Sequence, residues 1–169
     1  MIETTRLLII PLTVPSLELY LLGEDRFEEA HQLARNNRTV SREVFRMVQA
    51  ITLPNMRREP DDGYLFHTFW LVIERSSKTV VAELGFKGTP NARGEVEIGY
   101  GTMPARQREG FMTEAVGALV VWARKRNEIA SIVAETDQGN NASQKVLHRN
   151  GFTQYNKKEN MLWWRFNLK

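Results

Sequence analysis

Along the 169-residue chain the spacing of apolar positions changes several times, and each change marks an element. Thr5–Pro11 carries the run Leu7, Leu8, Ile9, Ile10 stopped by proline, which predicts an opening strand. A helical pattern begins at Pro15, Ser16 and Leu17. Between Glu24 and Leu53 the positions Val44, Met47, Val48 and Ile51 recur at i, i+3, i+4, i+7, and two short helices are expected there. Pro54–Gly63, with Glu59, Pro60, Asp61 and Asp62, has the composition of an acidic loop. Thr68–Glu74 and Val80–Lys87 read as an antiparallel hairpin, and Glu95–Thr102 as a third strand of the same meander.

After Gly110 a helical period returns. Met112, Ala115, Val116, Leu119, Val120 and Ala123 share one side of a helix whose end carries Arg124, Lys125 and Arg126, charges that suit a C-terminal dipole. Gly117 inside it costs about 1 kcal/mol relative to alanine, so a close contact is expected there. Ser131–Glu135 is a short β-branched strand, and the strand–helix–strand unit it completes predicts a right-handed parallel crossover. A further helix runs from the turn at Asp137–Asn140 to Gly151, a glycine cap followed by Phe152. Thr153–Lys158 and Met161–Leu168 predict a final hairpin. This order gives an α+β fold around a mixed sheet, in one domain over residues 1–169.

Composition narrows the class. With 42% hydrophobic and 25% charged residues the chain is an ordinary globular protein. No stretch is apolar for long enough to span a bilayer, and Glu3 and Arg6 around Ile2 do not make a signal peptide, so a cytoplasmic protein with no membrane partner is expected. The absence of cysteine removes disulfides, thiolate nucleophiles and cysteine metal sites. His31, His67 and His148 are scattered, which speaks against a metal site. A net charge of +3 suits a polyanionic ligand without requiring nucleic acid.

Candidate chemistry starts in the turn Gln107, Arg108, Glu109, Gly110, Phe111, Met112. Strand, glycine-containing turn and helix in that order put free backbone N–H groups at a helix N-terminus, a site for phosphate. The turn lacks the endings of a nucleotide P-loop or a dinucleotide fingerprint. Strand alternation places Glu95, Glu97, Gly99 and Gly101 on one face and Val96, Ile98 and Tyr100 on the other. The glycines leave room beside Glu97, where a carboxylate could act as a general base or be simply a structural charge. Asn140 caps the following helix, and Ser143 lies in its first turn. His148, Trp163 and Trp164 are read as surface and packing residues.

Two stretches together resemble the Gcn5-related N-acetyltransferase (GNAT) family, in its branch of ribosomal-protein N-terminal acetyltransferases. Gln107, Gly110, Thr113, Glu114 and Ala115 match the motif that holds the coenzyme A pyrophosphate, with Met112 where the family has glycine or alanine. Asn140, Ser143, Val146, Leu147, Gly151 and Phe152 match the second motif, and Thr5–Leu12 resembles the branch's opening. The resemblance implies a mostly antiparallel central sheet with helices on both faces and a parallel β-α-β cofactor-binding unit. It implies acetyl-CoA as cosubstrate, held by Gly101, Thr102, Met103, Gln107, Arg108, Glu109, Gly110, Phe111, Met112, Thr113, Asn140 and Ser143. Backbone N–H groups near Gly101 to Met103 would polarise the thioester carbonyl and Glu97 would take the amine proton. The tyrosine that many members use to protonate the leaving thiolate is replaced by Leu147, leaving Ser143 or water. The acceptor is then an amine, a peptide N-terminus or a small molecule, more readily an α-amine titrating near 8 than a lysine near 10.4. Two other readings stay open: a non-catalytic coenzyme A-binding domain of this fold, and a basic nucleic-acid module supported by charge alone. Oligomeric state is left open, a homodimer included.

Overall fold

The structure, a computed structural model, describes residues 1–59 and 61–169; Pro60, part of the expected acidic loop, lies outside the described residues. Its strands are β1 (Ile2–Glu3), β2 (Leu7–Pro11), β3 (Trp70–Glu74), β4 (Thr79–Phe86), β5 (Glu95–Thr102), β6 (Ser131–Asp137), β7 (Thr153–Lys158) and β8 (Met161–Asn167). They form one eight-stranded sheet in the order β1-β2-β3-β4-β5-β6-β8-β7. Every pairing is antiparallel except β5 with β6, the crossover expected from the sequence. The helices are α1 (Val14–Leu21), α2 (Arg26–Ala30), α3 (Arg42–Met47), α4 (Leu53–Arg58), α5 (Phe111–Ala123) and α6 (Asn141–Arg149).

Period-two alternation gives each strand two faces, and each face has its own core. On one side Ala82, Leu84, Phe86, Val96 and Ile98 pack beneath the apolar stripe of α5 and Leu147 of α6. On the other, Leu71, Ile73 and Val80 pack against Leu17, Phe27, Val48 and Leu53 from the helices early in the chain. Each large side chain fully buried in this way contributes about 1.5–3 kcal/mol. Gly117 of α5 is where the two helices meet: a Cβ there would lie 2.8 Å from Asn150 Oδ1. That asparagine, the C-cap of α6, donates to Thr113 O at 3.1 Å and Val146 O at 2.9 Å. Gly151, at φ +82°, then closes α6, with Gly151 N–H on His148 O and Phe152 N–H on Leu147 O. Trp164 is buried and donates to Thr136 Oγ1 at 3.0 Å, a packing role as expected.

Two segments differ from the sequence reading. The Pro54–Gly63 loop is instead mostly helical, α4 followed by a 3₁₀ turn at Asp61–Phe66. Pro54 follows the π-turn directly, an irregularity in the hydrogen-bond ladder that accommodates a residue without an N–H, and Leu53 and Met56 are buried. A π-turn at Val48–Thr52 links α3 to α4, so the expected short helix continues through Arg58. β1, two residues long, is too short to leave a periodic signal. No described helix is long and apolar enough to cross a membrane, and the described residues hold no cluster of metal-binding side chains.

Two glycines on neighbouring strands make opposite predictions. A Cβ on Gly85 would lie 2.8 Å from the Thr68 carbonyl oxygen, whereas one on Gly101 meets nothing within 4 Å. Gly85→Ala is expected to cost about 1–3 kcal/mol by urea denaturation and Gly101→Ala under about 0.5 kcal/mol. Equal stabilities for the two variants would contradict the placement of Thr68 against β4.

Candidate active site

β5 and β6 pair from Glu95/Ser131 to Ile98/Ala134 and no further, although β5 runs on to Thr102 and β6 to Asp137. The strands part, and a gap opens beyond Ile98. Glu97 O accepts Lys87 N–H at 2.8 Å and Met103 N–H donates to Val81 O at 2.9 Å, so these residues direct their backbone toward β4. By alternation Gly99 and Gly101 do the same, while Tyr100 and Thr102 turn their N–H and C=O groups into the gap. This corrects the expected Gly101–Met103 donor set: the Met103 N–H is already used, and Thr102 and Tyr100 present the free groups.

At the start of α5, Arg108 (φ +67°) and Gly110 (φ +81°) curl the chain, and no side chain caps the helix. The N–H groups of its first turn therefore lack intrahelical partners. Gln107, Arg108, Glu109 and Gly110 are exposed around that end. Phe111 and Met112 are buried, so they offer only backbone, and the Met112 side chain points into the core and narrows nothing. Arg106 is not free to meet an anion. It is bound to Glu109 at 2.9 Å and Glu74 at 2.8 Å, and its guanidinium lies 5.0 Å from the Phe111 ring centroid. Arg108 has no ion-pair partner among the described residues.

Arg6, from the chain start, closes the same turn. It pairs with Glu114 at 2.7 Å, donates to Glu109 O at 3.0 Å and stacks on Phe111 at 4.8 Å. Glu114 also accepts from Thr4 Oγ1 at 2.6 Å. Burial opposes its charge, but the hydrogen bonds from Thr4 and Arg6 outweigh it and hold the carboxyl below the usual 4.5. Hydrogen bonds from Ser77 and Arg106 lower Glu74, and one from Arg106 lowers Glu109.

Across the sheet, the register pairs Glu83 with Gly101 and Gly85 with Gly99, and Lys87 stands beside Glu97. A glycine strip thus lies between Glu83 at one end and the Lys87–Glu97 pair at the other. This strip opens into a cavity of about 470 Å³ walled by Val44, Met47 and Ile51 of the α3 segment and by His67, Thr68 and Phe69. Glu97, the expected base, is ion-paired with Lys87 and does not line the cavity wall. Glu83, which the sequence reading passed over, does line it, and accepts the Tyr20 hydroxyl at 2.9 Å. Its alternation with Gly85 and Lys87 was the available signal.

On the opposite face, the Asn140 side chain accepts the Ser143 N–H at 3.1 Å, the helix cap expected. Ser143 Oγ lies 2.8 Å from the Tyr100 hydroxyl. Tyr100 also lines the cavity, so one residue touches both sides of the parted strands. Burial pushes its pKa up to about 12 against the lowering effect of the Ser143 hydrogen bond. The sequence reading placed Tyr100 on the correct face but gave it no role.

The sequence profile of the family described as Acetyltransferase (GNAT) domain matches residues 6–153. An uncharacterized N-acetyltransferase, YjdG, of Bacillus subtilis (strain 168) is 34% identical over 83 residues, 49% of this chain and 49% of its own. The chain thus matches about half the length of that curated relative. Among solved structures, the ribosomal-protein-S5-alanine acetyltransferase of Vibrio fischeri superposes with TM-score 0.68 at 15% identity, covering 98% of this chain and 94% of that one. RimL, a ribosomal L7/L12 α-N-protein acetyltransferase in complex with coenzyme A, gives 0.67 at 20% identity over 97% and 95%. YncA of Salmonella typhimurium, with its cofactor acetyl-CoA, gives 0.60 at 18% over 98% and 95%. Identities this low establish a shared fold.

The carboxylates paired with Arg6 and Arg106 at the start of α5 set an acid limit. Because their folded pKa values lie below 4.5, Glu74, Glu109 and Glu114 stabilise the fold above that pH and cease to as pH falls toward the folded values. The melting temperature is expected to fall as pH drops below about 4.5, and Glu114→Gln to melt lower than wild type at neutral pH, with the difference vanishing as pH falls through the lowered Glu114 pKa. A constant difference at every pH would assign the effect of Glu114 to packing instead.

Proposed function

The chain belongs to the GNAT acetyltransferase family, and from that premise we propose that it transfers the acetyl group of acetyl-CoA directly to a primary amine, as one catalytic domain. The observation that carries this reading is the parting of β5 from β6, with an uncapped helix start on one face and a glycine-floored cavity on the other. The residues present suit the coenzyme. N–H groups at Gly110–Thr113, with Gln107 and Arg108 at the rim, would hold its pyrophosphate. The free backbone edge at Tyr100 and Thr102, with Asn140, would hold its pantetheine arm.

When bound, acetyl-CoA supplies a thioester-activated acetyl group, whose transfer forms one C–N bond, breaks one C–S bond and frees one amine proton. The chain's own groups do the rest. The Thr102 N–H is the donor assigned to the carbonyl oxygen. Glu97, bound by Lys87 at the end of the glycine strip, takes the amine proton through water. Ser143 hands a proton to the departing sulfur, with the Tyr100 phenol behind it, protonated throughout the neutral range. The phenol absent at Leu147 thus comes from β5. Two observations favour catalysis over the non-catalytic alternative: Met112 is buried in the core, and Tyr100 reaches Ser143.

Saturating acetyl-CoA at about a hundred times Kd should stabilise the fold by about 2.7 kcal/mol, seen as a raised melting temperature. Gly110→Val should remove the shift, since a β-branched residue at φ +81° is strained and crowds the turn. An unmoved melt for wild type would overturn coenzyme binding.

Thiol release measured with a panel of primary amines tests transfer itself. Glu97→Gln is expected to lower kcat about tenfold or more with the melting shift intact, and Tyr100→Phe to lower it about threefold to tenfold. Unchanged kcat in Glu97→Gln across the pH range would remove that residue from the mechanism.

A further inference from the structure

The cavity beside the glycine strip is lined by four charged or titratable side chains, Lys87, Tyr100, His67 and Glu83, and of these Lys87 is ion-paired and Tyr100 is hydrogen-bonded to Ser143. Lys87 is paired with Glu97, and His67 Nε2 lies 3.4 Å from Glu59 Oε1. Glu83 has no ion-pair partner among the described residues; Tyr20 donates to its Oε2, and its other oxygen takes no hydrogen bond there. A carboxylate so placed lacks only a cation. Behind it the charges are balanced. Arg38, nearest to Tyr20, is bound by both oxygens of buried Glu28 at 3.0 and 3.3 Å, and its guanidinium covers the Tyr20 ring at 3.6 Å. Arg38 also donates to Tyr20 O at 3.1 Å, which fixes the tyrosine that aims Glu83.

The rest of the wall is apolar where it meets solvent. Met47 and Ile51 are 41% and 57% exposed, although they continue the apolar stripe of a helix whose Val48 is fully buried. The helix turns Met47 and Ile51 to the cavity instead of the core, and Val44 lines it while packing against the core. One negative charge at the floor and an apolar mouth together describe a guest.

Resting on the acetyltransferase reading above, we propose that Glu83 receives the ammonium ion of the acceptor, and that the acceptor is a primary amine with a single positive charge beside an apolar group. Salt-bridging to a half-buried carboxylate selects the ammonium, and contact with Met47 and Ile51 selects its neighbour. Burial raises the Glu83 pKa, against the hydrogen bond from Tyr20 and the charge of Arg38, so an incoming cation relieves a real penalty. Glu83 thereby governs which amine enters; the bound ammonium gives up one proton to become the nucleophile and a second as the amide forms, both passing to water. A free apolar amine and a peptide with an apolar N-terminal residue share this chemistry.

The test is calorimetric binding to the folded protein without acetyl-CoA, which does not depend on turnover. Phenethylammonium chloride and the amidated tripeptide Leu-Gly-Gly are the two arms, with spermine as the polycationic control. Wild type should bind at least one arm, and whichever binds names the source; Glu83→Gln, whose amide can still accept from Tyr20, should weaken it at least tenfold. Ile51→Lys, at an exposed position, should weaken it too while leaving the melting temperature unchanged, so the result does not hang on one variant. In turnover with an active amine, Glu83→Gln should raise KM with little loss of kcat, the reverse of Glu97→Gln. Binding of neither arm, equal binding by Glu83→Gln, or preference for spermine would overturn the proposal. Acetyl-CoA binding and thiol release that persist alongside such a failure would leave the acetyltransferase reading standing.

Discussion

Everything functional in this fold follows from one parallel strand pairing that stops early. A parallel pair needs a crossover, the crossover is right-handed, and so α5 must start at the end of β5 where the chain leaves the sheet. The strands separate at that same end. The uncapped helix start, the free edge of Tyr100 and Thr102, and the cavity floor are brought together by topology before any side chain contributes. A pairing continued through Thr102 would satisfy those backbone groups and close the gap.

Magnitudes show what holds the turn in place. The ion pairs of Arg6 and Arg106 are partly exposed, and such pairs are worth about 0–1 kcal/mol each. Burial of the Phe111 side chain is worth about 1.5–3 kcal/mol. The aromatic ring therefore anchors the start of α5, and the two guanidiniums on it set the direction of approach. Arg106, spent in this way, cannot also serve an anion, whereas Arg108 on its left-handed backbone stands clear. Neighbouring arginines in one turn thus differ: Arg106 is held in ion pairs, and Arg108 has none among the described residues.

Periodicity made most of the fold legible. β5 was read to its last residue, α5 and α6 were recognised by stripe and cap, and the crossover by strand order. What escaped was decided by tertiary packing. Pro54 and the acidic residues have loop composition, yet burial of Leu53 and Met56 makes the segment helical. The site divided similarly. Glu97, Gly110, Asn140 and Ser143 stand out through local spacing. The pairing of Tyr100 with Ser143 joins residues 43 apart, and that of Tyr20 with Glu83 joins residues 63 apart, so no local pattern could signal either. Arg106 escaped for the same reason: its place beside the start of α5 is local, but its partner Glu74 is 32 residues away.

The buried pair behind Glu83 bears on why the cavity is built as it is. Arg38 and Glu28 are almost wholly enclosed, and removing one partner would strand a charge at a cost of about 3–5 kcal/mol. Yet well-packed apolar side chains of the same volume would generally stabilise the fold as well or better. Stability alone does not call for ions here. What the pair does, and an apolar filling could not, is grip Tyr20 from both its ring and its carbonyl while keeping the surroundings neutral overall. The tyrosine hydroxyl then holds one oxygen of Glu83 and leaves the other without a hydrogen bond, in a residue that lines the cavity. A lone arginine at that place would have claimed the carboxylate for itself. The buried network thus holds Tyr20, and through it one oxygen of Glu83, in place between the sheet and the early helices.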